Sequence, residues 1–263
     1  MHEWTDDRLQ RFSRQIVLPE VGGVGQERLA TATVALVGMG GIGAPAAMFL
    51  AAAGVGCLRL VDHDVVDLSN LHRQILYRMK DIGQRKVDAA ASALAEAYPD
   101  TRAERRAEPL DAGNVIALLS GADVVIDGTD AFPVRTLVAA ACAEARIPLV
   151  SASVQGFDGQ LIVLRPYLGP PHPSYRCIYP DDPSPGTLPS CSMSGVMGPV
   201  PGTLAGLAAT EVLKLLLRLG DHGEPAPLLC YDALNAALYR IEVARTDKAD
   251  ETQEPAVAWA GRA

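Results

Sequence analysis

The stretch TVALVGMGGIGAPAAMFLAAAGV, residues 33–55, decides the fold. Its first five residues, TVALV, are apolar or β-branched without alternation, as in a strand buried on both faces. APAAMFLAAAG is small and helix-prone, with Gly54 as a stop. Between them GMGGIG sets Gly38, Gly40 and Gly43 in the G-x-G-x-x-G spacing, directly after the strand and at the helix start. Backbone N–H groups and the positive end of the helix dipole can hold a phosphate there. Asp62 comes nineteen residues after Gly43, at the end of a second strand-like run, CLRLVD, where a carboxylate accepts hydrogen bonds from ribose hydroxyls. Glycines alone would only let strand and helix pack closely. With strand, helix and carboxylate in register, the reading is a nucleotide site.

Outward from this unit the pattern repeats. GQRKVDAAASALAEAYP (83–99) is an Ala-rich helix broken at Pro99. ADVVIDGTD (122–130) is a strand running into a turn, AFPVRTLVAAACAEARI (131–147) a helix and PLVSASV (148–154) a strand. Strands alternating with helices predict an α/β fold: a doubly wound, Rossmann-like, mostly parallel sheet with helices on both faces and an N-terminal helical arm. GPVPGTLAGLAATEVLKLLLRLG (198–220) reads as a long apolar helix, and PLLCYDALNAALYRIEV (227–243) as a C-terminal strand pair around a polar turn. Residues 1–245 are expected to form a single domain. Residues 165–191 carry eight prolines and should make an extended, mobile connection; residues 246–263 read as a disordered tail.

Composition narrows the function classes. A chain of 263 residues, 49% hydrophobic, can bury a large core, and its formal net charge of −8 argues against a surface built for nucleic acid or anionic lipid. Five widely spaced cysteines without a Cys-x-x-Cys pair encode neither a disulfide framework nor a thiolate-rich zinc site, which fits a reduced cytoplasm. The N-terminus, MHEWTDDRLQ, lacks the apolar core of a signal peptide. No run is expected to reach the roughly 18 to 20 apolar residues of a membrane span, so a soluble protein is expected.

The chemistry concentrates after the second strand. DHDVVDLSNLHRQ (62–74) supplies Asp64, Asp67, Asn70, Arg73 and Gln74 within a few positions, more than a dehydrogenase needs. A cation aimed at leaving pyrophosphate, an amide on a phosphate oxygen and a second cation, Lys86, would stabilise charge developing at an α-phosphate. Lys86 taken alone would be an ordinary solvated helix lysine. A third cluster, DGTD (127–130), lies at the carboxyl end of a strand. Asp130, past the strand end, is the candidate for holding Mg²⁺ against the phosphates, whereas Asp127 suits a helix cap or turn amides.

These motifs, together with RFSRQIVLPEVGGVGQERLATATVALVGMGGIGAPAA, YRCIYPDDP and SCSMSGVMGPVPG, resemble the MoeB/ThiF/HesA family, relatives of the ubiquitin-activating enzymes, over roughly residues 8 to 243. The resemblance implies an ATP-dependent adenylyltransferase. In that family the C-terminal glycine carboxylate of a small ubiquitin-like sulfur carrier (MoaD/ThiS-like) attacks the α-phosphate, giving an acyl-adenylate and pyrophosphate. It places Gly40 and Gly41 against the phosphates and Asp62 at the ribose. Asn70, Arg73, Gln74 and Lys86 line the phosphate path, and Asp130 holds Mg²⁺. Arg14, in RFSRQIVL, matches an arginine contributed by the neighbouring subunit, which implies a homodimer with composite sites. Cys191, in PSCSMSGVMGP, matches a cysteine that reacts with the activated carboxylate or handles sulfur in many members; a small buried residue is the equal alternative.

Departures from the family pattern carry their own expectations. Many members bind structural Zn²⁺ through two Cys-x-x-Cys pairs, the first reading Cys-Tyr-Arg-Cys. Here it is Ser174-Tyr175-Arg176-Cys177, no cysteine follows Asp232, and no zinc is expected. Ala131 stands where relatives carry Asn, removing an amide beside the Mg²⁺ position. No rhodanese-like extension follows, so the sulfur donor, a cysteine desulfurase or rhodanese, would be a separate protein. The pathway, molybdopterin, thiamin or another thio-metabolite, stays open. The alternatives are the same chemistry on a peptide natural product or other carboxylate, and a non-catalytic dinucleotide-binding module.

Overall fold

The computed structural model describes residues 4–180, 195–220 and 224–245. Helices α1 (Asp6–Ile16) and α2 (Gly22–Thr31) form the N-terminal arm. There follow β1 (Thr33–Val37), α3 (Gly43–Ala52), β2 (Cys57–Val61), α4 (Lys86–Ala97) and β3 (Arg102–Arg106). The second half contains α5 (Val115–Leu119), β4 (Val124–Asp127), α6 (Phe132–Ala145), β5 (Leu149–Gln155) and β6 (Asp158–Leu164). It closes with α7 (Pro199–Leu217), β7 (Leu228–Asp232) and β8 (Ala237–Ile241). All eight strands lie in one sheet of order β3-β2-β1-β4-β5-β6-β7-β8. The five strands β3 to β5 in that order run parallel, and β6, β7 and β8 are added antiparallel.

The unbroken apolar strands are explained by two cores. Val34 and Leu36 of β1 and Val124 and Ile126 of β4 pack into one, with α3, α4 and α7; Ala35, Val37 and Val125 point into the other, with α5 and α6. The period-2 alternation of a strand thus feeds both faces, and each fully buried Leu or Val contributes about 1.5–3 kcal/mol. The expectation that no segment reaches membrane-span length is corrected: Pro199–Leu217 is long and apolar enough by length and composition. Its apolarity has a use within the domain, because Leu204, Ala205, Ala208 and Val212 are fully or nearly fully buried in the first core, where the helix packs on α3, β5 and β6.

Some elements carry no strong sequence signal. β3 reads RAERR and sits at the sheet edge, paired through its backbone to β2 and by Arg59 Nε donating to Glu104 Oε2 at 2.8 Å. Charged edge strands of this kind resist pairing with another chain. β6 returns beside β5 through the two-residue turn Gly156-Phe157, where Gly156 adopts φ 59°. In the proline-rich stretch, residues 165–180 contain 3-10 turns at Pro166–Leu168 and Tyr175–Cys177, and Tyr175 packs with Phe132 and Tyr179. The rest of that stretch, Cys191 included, and the tail 246–263 lie outside the described residues.

Candidate active site

The sheet order reverses between β1 and β4, so the connections after these strands diverge and leave a crevice at their carboxyl ends. A cavity of about 1060 Å³ occupies it. Its walls run from the exit of β3, at Glu108–Leu110, past the ends of β2, β1, β4 and β5 to Asp158–Gln160 of β6. Single-ligand sites usually measure about 300–1,000 Å³, so this one lies at the upper end of that range. A smaller depression of about 400 Å³ lies at the opposite strand ends, between Ser120–Asp123 and Ala145–Pro148. It gathers no comparable chemistry.

At the first wall, Gly38 turns the chain with φ 86°, and Gly40 and Gly41 face the cavity. A Cβ on Gly40 would meet only Gln74 Nε2, at 3.7 Å, leaving the backbone open to a ligand. Gly43 does not line the cavity; its Cβ would run into the Gly38 carbonyl, so this glycine allows the close strand-to-helix approach. Asp62 holds the turn from the next strand. Its Oδ2 accepts from Met39 N at 2.7 Å and its Oδ1 from Asp64 N at 2.8 Å, leaving further lone pairs toward the cavity. Tyr77, whose place the sequence did not signal, donates its hydroxyl to Met39 O at 2.8 Å. Burial, and then the nearby carboxylates Asp62, Asp64 and Asp81, push its phenol pKa far up, so it stays a donor.

Lys86 is not a solvated helix lysine. It begins α4 with its side chain 7% exposed, and Nζ lies 2.7 Å from Asp64 Oδ2 and 3.9 Å from Asp62 Oδ2. Asp67 caps the 3-10 turn Leu68–Asn70, accepting from Ser69 N at 2.8 Å and Ser69 Oγ at 2.6 Å, which lowers its pKa. That turn sets Asn70, Arg73 and Gln74 into the same wall. Arg73 Nη1 donates to Ser69 O at 3.0 Å, and Gln74 is buried with Oε1 lacking a hydrogen-bond partner among the described residues. A buried amide left half-made fits a site completed by its ligand.

Across the switch point, Asp127 ends β4 at 0% exposure and satisfies turn groups, its Oδ1 accepting from Thr129 N at 3.0 Å and Thr129 Oγ1 at 2.7 Å. The turn it braces presents Asp130, exposed, to the cavity. One carboxylate beside phosphate oxygens suits Mg²⁺, which keeps several waters and takes few protein ligands, so Asp130 fits the ion. Among the described residues the closest group of metal-ligand type is Asp62, His63 and Asp64, and Asp130 is not in it. Arg14 stands exposed on α1 and does not line this chain's cavity. Cys191 lies outside the described residues. Arg135, Ser153, Gln155 and Gln160 also line the far wall; their scatter over α6, β5 and β6 left no motif to read.

The residues do not fit a structural zinc. Ser174 Oγ lies 3.5 Å from Cys177 Sγ where two thiolates would be needed, and no three-residue ligand group among the described residues includes Cys177, His172 or Cys230. The segment is tied down otherwise: Arg245 Nη1 donates to Pro166 O at 3.1 Å and His172 O at 3.0 Å.

A doubly wound sheet, a glycine turn braced by the carboxylate that follows β2 and a large cavity over the switch point define a nucleotide-binding α/β domain. The chain belongs to the ThiF family, which it matches over residues 12–254. It is 42% identical over 247 residues to the sulfur carrier protein adenylyltransferase of Thermus thermophilus, covering 93% of this chain and 91% of that protein. It is 44% identical over 230 residues to the SAMP-activating enzyme E1 of Haloferax volcanii, covering 87% and 83%. The match to adenylyltransferase and sulfurtransferase MOCS3 of Sus scrofa, 45% over 241 residues, covers 92% of this chain but 52% of that longer protein. Solved structures of selenomethionine PaaA (TM-score 0.77, 23% identity, 92% of this chain and 76% of that one) and of E. coli MccB with ATP (0.77, 21%, 90% and 72%) share the fold.

Proposed function

We propose that the protein is an ATP-dependent adenylyltransferase that activates the C-terminal glycine carboxylate of a small ubiquitin-like sulfur carrier as an acyl-adenylate, releasing pyrophosphate. The observation that carries this reading is the division of the cavity. Glycine turn, Asp62, Asn70, Arg73, Gln74 and Lys86 line the half over β2 and β1, and a second half over β4 to β6 is left for the acyl donor. The Thermus thermophilus and Haloferax volcanii relatives, named for acting on carrier proteins, share 42% and 44% of aligned residues with this chain.

In this reading Asp62 takes the ribose and the Gly40–Gly41 amides the phosphates, while Lys86 moves its charge from Asp64 to the triphosphate. Arg73 neutralises the leaving pyrophosphate. A carboxylate is already a nucleophile at neutral pH, so the residues orient and stabilise charge without a general base. Mg²⁺, held by Asp130, would supply further charge neutralisation. Arg14 acts in a partner's site within a homodimer, the sulfur donor is a separate protein, the compartment is the cytoplasm, and zinc plays no part. Neither nucleic acid nor membrane is a partner.

The test is ATP/pyrophosphate exchange with a panel of carriers ending in Gly-Gly, each beside a version lacking its terminal glycine. Exchange confined to one intact carrier identifies the substrate. Silence with every carrier, despite ATP binding, would transfer the chemistry to a peptide or small carboxylate.

A further inference from the structure

Besides His63, three cations line the described walls of the cavity: Arg73 and Lys86 on the nucleotide half and Arg135 on the other. Arg135 comes from the first turn of α6, with its side chain only 9% exposed. Nη2 donates to Ala152 O on β5 at 2.6 Å. Nε faces Asp127 Oδ2 at 3.5 Å without making the hydrogen bond, and both atoms lack a hydrogen-bond partner among the described residues. Both atoms are enclosed and spend their charge on each other, so the part of the guanidinium left for a ligand is Nη1, which bonds no described residue while Arg135 lines the cavity. Ser153, Gln155 and Gln160 stand in the same wall and offer further polar groups to an extended chain terminus.

We propose that Arg135 grips the carboxylate of the second substrate and turns one of its oxygens toward the α-phosphorus. This rests on the adenylation reading above. With Nη2 held by Ala152 O and Nε turned to Asp127, Nη1 is placed to donate a charge-assisted hydrogen bond to a carboxylate oxygen. Because Asp127 already balances part of its charge, Arg135 orients the carboxylate without quenching its nucleophilicity. That oxygen's lone pair forms the bond to phosphorus, the bond from phosphorus to the bridging oxygen breaks, and pyrophosphate leaves with the electron pair. No proton or redox equivalent is exchanged.

The test compares binding of one carrier as its free C-terminal acid and as its C-terminal amide, with an ATP analogue that cannot be cleaved between the α- and β-phosphates. Wild type should prefer the acid by roughly tenfold or more, the scale of a charge-assisted pair. Arg135→Gln should bind acid and amide equally while retaining its ATP affinity; undiminished preference in that variant overturns the assignment. If Arg135→Gln does not fold, Arg135→Lys, whose single ammonium cannot hold Ala152 O and Asp127 and also reach the ligand as the guanidinium does, should show a reduced preference, and an unchanged one overturns the proposal equally. The two readings fail differently. Wild type that supports pyrophosphate exchange yet does not distinguish acid from amide removes Arg135 alone, whereas wild type silent with every carrier removes the carrier reading and this inference with it.

Discussion

The Asp62 carboxylate uses one lone pair on each oxygen to fix a backbone amide, Met39 N on one side and Asp64 N on the other, and so shapes the phosphate turn before any nucleotide arrives. Such preorganisation lets charge stabilisation act without reorganising the protein. Tyr77 completes it from below through Met39 O. Tyr77→Phe should therefore lose about 1–3 kcal/mol of stability, the cost of an unsatisfied buried carbonyl, and raise KM for ATP; urea denaturation and steady-state kinetics check both, and an unshifted denaturation midpoint would show that the bond is immaterial. Arg73 and Asp130 sit on the cavity surface and carry no core packing, so Arg73→Ala or Asp130→Ala should abolish adenylation while leaving the melting transition in place. Near-normal turnover in either would remove that residue from the mechanism. Asp62 and Asp130 could be placed from the sequence because each follows a strand end, whereas Lys86 taken alone reads as a solvated helix lysine and only the polar cluster before it and the family resemblance singled it out. Tyr77 and Arg135 could not, since their importance comes from contacts across elements that no local spacing encodes.

At the scale of elements, legibility follows burial. β1 and β4 were readable because a parallel strand covered on both faces is apolar nearly throughout, β2 and β5 because mostly apolar runs recur in the same alternation with helices, and α3 because the glycine turn and Gly54 punctuate it. β3 was not, because at the sheet edge its side chains answer to charge rather than to a core. Its Glu104 receives Arg59 and Arg102, and these hydrogen bonds hold the carboxyl at about 2 against an ordinary value of 4.5. A carboxyl with a folded-state pKa below its unfolded one stabilises the fold above the unfolded value and loses that contribution as pH falls toward the folded one. The β2–β3 edge should then weaken between about pH 4.5 and 2. In Glu104→Gln this part of the acid limb of stability should flatten, as measured by denaturation midpoints across that range; an acid limb identical to wild type would locate the sensitivity elsewhere.

For the whole molecule, a single chain explains both halves of the cavity but leaves Arg14 outside it, exposed on an arm whose neighbouring apolar side chains are bare: Val17 is 71% and Val24 70% exposed. Apolar surface beside a cation of this kind suits the face a second copy would cover, and the family resemblance puts that arginine in the partner's site. The consequence can be separated from a local role by mixing two defects. In the proposed homodimer, Arg14→Ala and Asp130→Ala should each be inactive alone. Co-expressed, they form heterodimers in which one site receives an intact Arg14 from one subunit and an intact Asp130 from the other, while the second site lacks both. With random pairing, roughly a quarter of wild-type adenylation should return, since about half the dimers are mixed and each holds one complete site. If Arg14 instead served the cavity of its own chain, every subunit in the mixture would remain deficient and no activity would reappear, so the exchange rate of the co-purified mixture decides between the two arrangements.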